Sequence, residues 1–182
     1  MRDLTLAMAL WLCLVAAPAA AAQSDPMLPH LFERLRAAGD VAEARTIEQQ
    51  IWRLWADVSD PEAAALLAAG TAAITARSWP RALEQLDRLV ERHPDIAEGW
   101  NQRATLFYLM GDFAASVADI QRTLALEPRH FGALSGLGLI YMAIERPEAA
   151  IRAFEAALAI HPYLPGARQN LVALRQQIES DL

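Results

Sequence analysis

Three prolines spaced 34 residues apart divide the middle of the chain into units of equal length. Pro94, Pro128 and Pro162 each come shortly before a new helical pattern. Proline lacks an N–H and disfavours helical backbone in the residue before it, so each of them ends a helix. Because the spacing holds without an insertion or deletion, the sequence predicts three structural units with the proline at position 32. The units are 63–96, 97–130 and 131–164.

Apolar and small residues recur at the same positions of the three units. Positions 4, 11 and 24 are mostly large and apolar, whereas positions 8 and 20 are small. The steps of three and four residues place these positions on one face of each of two helices. We expect the small residues to let the two helices of a unit approach closely. They are Gly70, Ala104 and Gly138 in the first helices and Ala82, Ser116 and Ala150 in the second.

This pattern resembles that of the tetratricopeptide repeat (TPR) family, whose unit is a pair of helices of about 34 residues. Trp100 at position 4 and Tyr141 at position 11 are among the residues that carry the resemblance. It implies an all-α fold, a right-handed α-solenoid of stacked antiparallel helix pairs. It extends to 25–60, which we interpret as a degenerate N-terminal TPR-like helix pair, and to 165–179, which we interpret as a C-terminal capping helix.

Three tryptophans stand outside the regular positions of the units: Trp52, Trp55 and Trp79. We expect Trp52 and Trp55 to fasten the overlong first unit onto the array. The alternative is an exposed patch that binds a partner protein.

The turn inside each unit departs from the family pattern in two places. Glycine stands at the turn position only as Gly39 and Gly111, whereas Arg77 and Glu145 replace it in the other units. Because a left-handed turn residue prefers glycine, we expect a different backbone at the two substituted turns. The prolines that follow these residues fit the first turn of a second helix. They are Pro80 and Pro147.

Arg103 stands at position 7, where the resembled family prefers a leucine that faces the partner helix. A half-buried guanidinium needs hydrogen-bond acceptors, so we expect Arg103 to reach Ser116 or Asp119 on the second helix. On this hypothesis Arg103→Leu is tolerated or stabilising, whereas Asp119→Ala destabilises. The alternative is a side chain that extends to water along its stem.

Residues 1–22 have the pattern of a secretory signal peptide. Arg2 precedes an uncharged apolar run, and Ala20 and Ala22 are small residues suited to cleavage before Gln23. We therefore expect a periplasmic or secreted protein, with a retained membrane anchor as the alternative. Cys13 is the one cysteine of the chain, so cleavage would leave no disulfide, thiolate nucleophile or Cys-ligated metal.

The sequence carries no pattern of a catalytic or metal site. The net charge of −6 argues against general nucleic-acid binding. Phosphate-binding, metalloprotease and nucleophile-elbow motifs do not occur. His93 and His161 share position 31, where a cationic ring complements the end of a helix. Acidic residues are scattered over the predicted solvent faces. We predict no catalytic residue, no metal and no other cofactor.

The resemblance implies a concave groove lined by positions 2, 5, 6, 9, 12 and 13 of the first helices. The candidate peptide-binding residues are Asn101, Gln102, Thr105, Tyr108, Ser135, Leu139, Met142 and, in the capping unit, Arg168. For Leu139 and Met142, packing against the next repeat is the alternative. Lysine is absent and the groove positions of the three units hold no Arg, so we do not expect a clamp for a carboxylate. The candidate structural residues are Trp100, Arg103, Asp119, Gly138 and Tyr141.

These observations favour a non-catalytic adaptor or scaffold outside the cytoplasm that binds a peptide or protein segment in its groove. The alternative is a structural subunit of a cell-envelope complex or of a homo-oligomer. Neither hypothesis involves nucleic acid, and neither needs stable membrane insertion once the signal is cleaved.

Overall fold

The computed structural model describes residues 25–180, which contain nine helices and no strand. The helices are α1 (Leu28–Ala37), α2 (Val41–Ala56), α3 (Pro61–Thr75), α4 (Trp79–Arg92), α5 (Ala97–Met110), α6 (Phe113–Leu126), α7 (Phe131–Ala143), α8 (Pro147–Ile160) and α9 (Pro165–Ser180). In this part of the chain, no helix is both long and apolar enough to cross a membrane. The predicted signal segment, with Cys13, lies outside the described residues.

Helices α3 to α9, which we call the array, form an α-solenoid of helix pairs, as predicted. The pairs are α3–α4, α5–α6 and α7–α8, and each packs on the next through α4 with α5 and α6 with α7, while α9 covers α8. Small residues bring the paired helices together. A side-chain carbon added at Gly138 would lie 2.5 Å from the Phe154 ring, and one at Gly70 would lie 2.7 Å from Leu86. The predicted close approach at these two positions is therefore confirmed.

The three turns inside the array share one backbone conformation, so the expectation of a different backbone at Arg77 and Glu145 is wrong. Their φ angles are 55° and 56°, in the same left-handed region as Gly111 at 79°. In each turn the next residue donates its N–H to a carbonyl five residues earlier, at 2.8–2.9 Å. These hydrogen bonds close the helix end and offset the cost of about 1 kcal/mol for a side chain in this region.

Helices α1 and α2, which we call the N-terminal hairpin, do not continue this pattern. Outside the hairpin itself, their main contacts are with α8 and α5. The turn between them has no left-handed end: Ala38 has φ −54° and ψ 133°. Instead, Asp40 accepts a hydrogen bond from the Glu43 N–H, and the Glu43 carboxylate accepts one from the Gly39 N–H, both at 2.9 Å. The segment is a helix pair, but it is not a unit stacked at the end of the array.

The hairpin has a core of its own, which one residue of the array completes. Apolar residues of α1 and α2 are buried together with Phe131 at the start of α7. Ile160, Tyr163 and Leu164, at the end of α8 and in the turn after it, pack against the edge of this core. The hairpin therefore lies on the side of the array where α5, α7 and the end of α8 meet.

Candidate binding groove

A cavity of about 340 Å³ opens between α5 and α7, on the positions that the sequence assigns to the groove. Five of the eight candidate binding residues line it: Asn101, Thr105, Tyr108, Ser135 and Leu139. Gly136 widens it because it has no side chain, and Gly132, Trp52 and Leu164 also line it. No residue that lines the cavity is charged. The site therefore suits an uncharged, largely apolar group.

The other three candidates lie elsewhere. Gln102 donates a hydrogen bond of 2.6 Å to the Glu98 carboxylate. Met142 packs with the core formed by α8 and α9, which is the alternative left open for it. Arg168 donates to the Pro162 carbonyl at 2.7 Å and lies over the Tyr163 ring. These three residues therefore do not line this cavity, and their part in binding stays a prediction.

The groove is covered at one end and open at the other. Along α5, the groove positions Glu98 and Asn101 are only 3% and 7% exposed. Thr105 and Leu109, further along the same face, are exposed. The Asn101 amide is already engaged, since it donates to Glu98 at 3.1 Å. Polar groups at the covered end therefore serve the protein itself, and the open end is the accessible part.

A buried Glu98–His130 pair supports the covered end. His130 is the N-cap residue that precedes α7, and its Nδ1 accepts the Ala133 N–H at 3.1 Å. The ring proton must then be on Nε2, which lies 3.1 Å from Oε2 of Glu98 and donates to it. Sequence reasoning placed acidic residues on solvent faces and missed this pair. Its spacing of 32 residues, close to one repeat, is the signal that could have indicated it.

Two tryptophans of α2 pack on the start of α7. The Trp55 ring is fully buried and stacks on the His130 ring, with centroids 4.1 Å apart and planes at 9°. Trp52 meets Phe131 edge to face at 5.4 Å. A side-chain carbon added at Gly132 would lie 2.6 Å from the Trp52 ring. Both tryptophans fasten the hairpin, as expected, but onto the groove face of α7. Trp79 instead packs against the core of α3 and α4.

Two contacts of charged side chains hold the edges of the hairpin. The Glu48 carboxylate of α2 lies 3.3 Å from Nε2 of His161, a ring that is buried at the end of α8. The contact with His161 lowers the pKa of Glu48 most, partial burial opposes it, and a hydrogen bond from Trp52 adds to the lowering. On α1, the Phe32 ring lies under the Arg129 guanidinium at 4.3 Å. Of the two histidines at position 31, His161 therefore contacts the hairpin, a role that its helix-end position did not predict.

Arg103 reaches Asp119, one of the two acceptors expected for it, through two hydrogen bonds of 2.7 and 2.8 Å. It also donates to Asp87 of α4 at 2.7 Å, and these carboxylates raise the pKa of Arg103. Ser116 is satisfied otherwise, because its hydroxyl donates to the Ala104 carbonyl at 2.7 Å. The guanidinium lies 5.0 Å from the centre of the Trp100 ring. The side chains predicted to be structural thus tie three consecutive helices together.

The burial of Asp119 changes the expectation for Arg103→Leu. Asp119 is 4% exposed, so loss of the guanidinium would leave a buried carboxylate without its charged partner. Glu98 and Glu127 are buried as well, which corrects the placement of acidic residues on solvent faces. Tyr141, the last of the predicted structural residues, packs beside Phe154 and α9. Among residues 25–180, no group of three or more His, Cys, Asp or Glu side chains is placed to hold a metal ion.

The helix pairs and the groove define an α-solenoid repeat protein. Two segments, 67–109 and 101–165, match the family model described as "Tetratricopeptide repeat". A TPR repeat-containing protein of Rhizobium etli is 35% identical over 159 residues, which are 86% of this chain and 78% of the relative. The chain belongs to the tetratricopeptide repeat family. The matched segments leave out α1 and α2.

Solved structures show the same fold at lower identity. The first TPR of Spaghetti (RPAP3), bound to the HSP90 peptide SRMEEVD, is 20% identical and superimposes with a TM-score of 0.63. It covers 67% of this chain and 97% of its own. MamA is 22% identical with a TM-score of 0.61, covering 81% of this chain and 84% of its own.

Proposed function

We propose that this protein is a non-catalytic interaction module that binds a peptide or protein segment at the open end of the cavity between α5 and α7. The bound segment inserts an uncharged apolar side chain between Tyr108 and Leu139. The observation that carries the proposal is the absence of charge among the residues that line the cavity. Burying one apolar side chain there contributes about 2 kcal/mol to binding.

The relatives support a protein-interaction role but suggest a different ligand. One solved TPR is named as bound to an HSP90 peptide whose last residues, EEVD, are mostly acidic. Recognition of such a peptide requires cationic groups in the groove. This chain has no lysine, and its cavity has no arginine. The bound segment therefore differs from that peptide in having an apolar anchor.

The location of the protein is a further part of the proposal. The signal-like pattern of residues 1–22 supports action in the periplasm or outside the cell, with retention by an uncleaved anchor as the alternative. A structural role within a cell-envelope complex or a homo-oligomer is the second candidate. In that case the open end of the cavity is covered by a neighbouring subunit.

Filling the cavity tests the proposal. Gly136 has room for a side chain, since an added carbon would lie 3.8 Å from its nearest neighbour, Ile120. Peptides selected by phage display on the full chain should bind Gly136→Leu about 30-fold more weakly, as measured by fluorescence polarisation, because the anchor is excluded. Gly166→Leu is the matched control, because nothing lies within 4 Å of that position.

Equal binding to both variants would contradict the proposal. So would a requirement of the selected peptides for a free carboxylate at their C-terminus. If the second candidate is right, Gly136→Leu instead lowers the mass of an oligomer in sedimentation.

A further inference from the structure

We propose that the face of α5 and α7 beside the cavity is a docking site for an amphipathic helix with two aromatic residues three positions apart. In the resting chain, its occupant is the chain's own α2. A partner helix of the same pattern replaces α2 at this site. The inference rests on the proposed function in one respect: the surface that α2 covers belongs to the same groove.

The hairpin packs as a bound ligand does. Stacked units of the array meet through the second helix of one unit and the first helix of the next. The hairpin instead contacts α5 and α8, two helices of different units, and its core is completed by Phe131 of a third helix. It therefore bridges successive units from one side, as a segment held in a groove would.

The two aromatic rings define the chemistry of the occupant. Trp52 and Trp55 are three residues apart on α2, so they project from the same face of the helix. Trp55 lies flat on the His130 ring, which Glu98 fixes in orientation. Trp52 fills the space that Gly132 leaves and forms one wall of the cavity. An aromatic pair at this spacing is what the site accepts.

Occupancy by α2 explains the gradient of exposure along α5. Glu98 is buried and bonded to the His130 ring, on which Trp55 of α2 stacks. Asn101 is buried and lines the cavity together with Trp52, whereas Thr105 and Leu109, further along α5, are exposed. A short segment fits at the open end while α2 stays in place. A segment that uses the whole length of the groove has to displace Trp52 first.

The attachment of the hairpin permits such displacement. Only residues 57–60 join α2 to α3, and three of these four residues are exposed. An occupant tethered this closely has an effective concentration of about 1 mM. If the free helix binds with a Kd of about 10 μM, the tethered copy weakens a competitor about 100-fold.

A labelled peptide of residues 41–56, the sequence of α2, is the probe. In fluorescence polarisation, it should bind the full-length Trp52→Ala/Trp55→Ala variant about 100-fold more tightly than the natural chain, because the variant's own α2 no longer competes. A peptide with alanine at both tryptophan positions is the control and should bind neither protein. Binding to the variant that is no tighter than to the natural chain would overturn the inference.

Gly132→Leu gives an independent test, because its side chain enters the space of the Trp52 ring. This variant should lose hydrogen-exchange protection in residues 28–56, keep protection in α5 to α8, and still fail to bind the peptide. Loss of protection in α5 to α8 as well would make the hairpin an integral part of the core and overturn the inference. If the α2 peptide binds the double tryptophan variant no more tightly, while Gly136→Leu still weakens the binding of the phage-selected peptides, the proposed function stands without this inference.

Discussion

The repeats of the array and the N-terminal hairpin are both pairs of helices, but they are held by different means. In the array, small residues such as Gly138 bring the helices together, and a left-handed residue closes each turn. In the hairpin, large apolar residues, aliphatic as well as aromatic, make the packing, and a carboxylate caps the turn. The first arrangement can be repeated along an axis, because each unit presents the same surface to the next. The second ends in a side-on contact with the array.

The comparison shows that similar spacing of apolar residues does not establish stacking. Residues 25–60 follow the helix periodicity of the family, and that periodicity correctly predicted two helices. Stacking needs, in addition, small residues where helices cross and a surface that matches the next unit. The hairpin presents Trp55 instead, and the matching surface for this ring is the start of α7.

Trp55→Ala should cause the largest loss of stability, and this loss should be limited to the hairpin. The ring is fully buried, and removing a buried tryptophan costs about 3–5 kcal/mol. Trypsin should then cleave after Arg45 or Arg53 about 100-fold faster, while cleavage within the array keeps its rate. Equal acceleration in both regions would show that they do not open separately.

Arg103→Leu should give the largest effect within the array, about 3 kcal/mol in urea unfolding, because it leaves the buried Asp119 carboxylate without its partner. Asp119→Ala should cost less, since Arg103 keeps Asp87. The double variant Arg103→Leu/Asp119→Leu should recover most of the loss. Additive losses in the double variant would contradict the pairing.

Gly138→Ala tests the close approach of α7 and α8. The added carbon meets the Phe154 ring, so we expect a loss of about 1–3 kcal/mol from overpacking. Gly136→Ala in the same helix is the control and should be neutral or stabilising by up to about 1 kcal/mol, because only helix propensity changes. The urea unfolding midpoint of Gly138→Ala should fall, whereas that of Gly136→Ala should stay the same or rise. An equal change in the two midpoints would argue against close packing at Gly138.

The Glu48–His161 contact should make the smallest contribution to the stability of the hairpin, about 1 kcal/mol, and this contribution should depend on pH. The pKa of Glu48 is lowered in the folded chain, so its stabilisation is present above the ordinary value of 4.5 and is lost as the pH falls through the lowered value. The groups that face this carboxylate are the His161 ring, the Trp52 N–H and the Arg45 guanidinium.

Glu48→Gln removes this titration. Protection of the hairpin in the variant should be weaker near neutral pH and should change less on acidification than in the natural chain. Identical pH profiles for the two proteins would exclude a contribution from Glu48.

Much of the fold followed from the sequence because repetition reveals it. One residue at a given position is a weak signal, but three equivalent prolines and six small residues at two positions predict the pairs and their packing. The turns at Arg77 and Glu145 were predicted wrongly because residue preference was weighed without the hydrogen bonds that close the helix. The hydrogen bonds at these turns offset the free-energy cost of a left-handed backbone at Arg77 and Glu145.

The site could be predicted only in part. Position numbers identified Tyr108 and Leu139 because the family groove runs along the first helices. They could not indicate that Trp52 forms a wall of the cavity. The contact between Trp52 and Gly132 joins residues about 80 positions apart and does not follow the 34-residue spacing. The roles of His130 and His161 also depend on where the hairpin packs.

Hydrogen exchange of the natural full-length chain, followed by mass spectrometry, tests the central comparison most directly. We expect amides of residues 28–56 to exchange through a local opening of lower free energy than the amides of α5 to α8, with the array remaining folded. Exchange of both regions through a single opening, with one free energy and one dependence on urea, would contradict it.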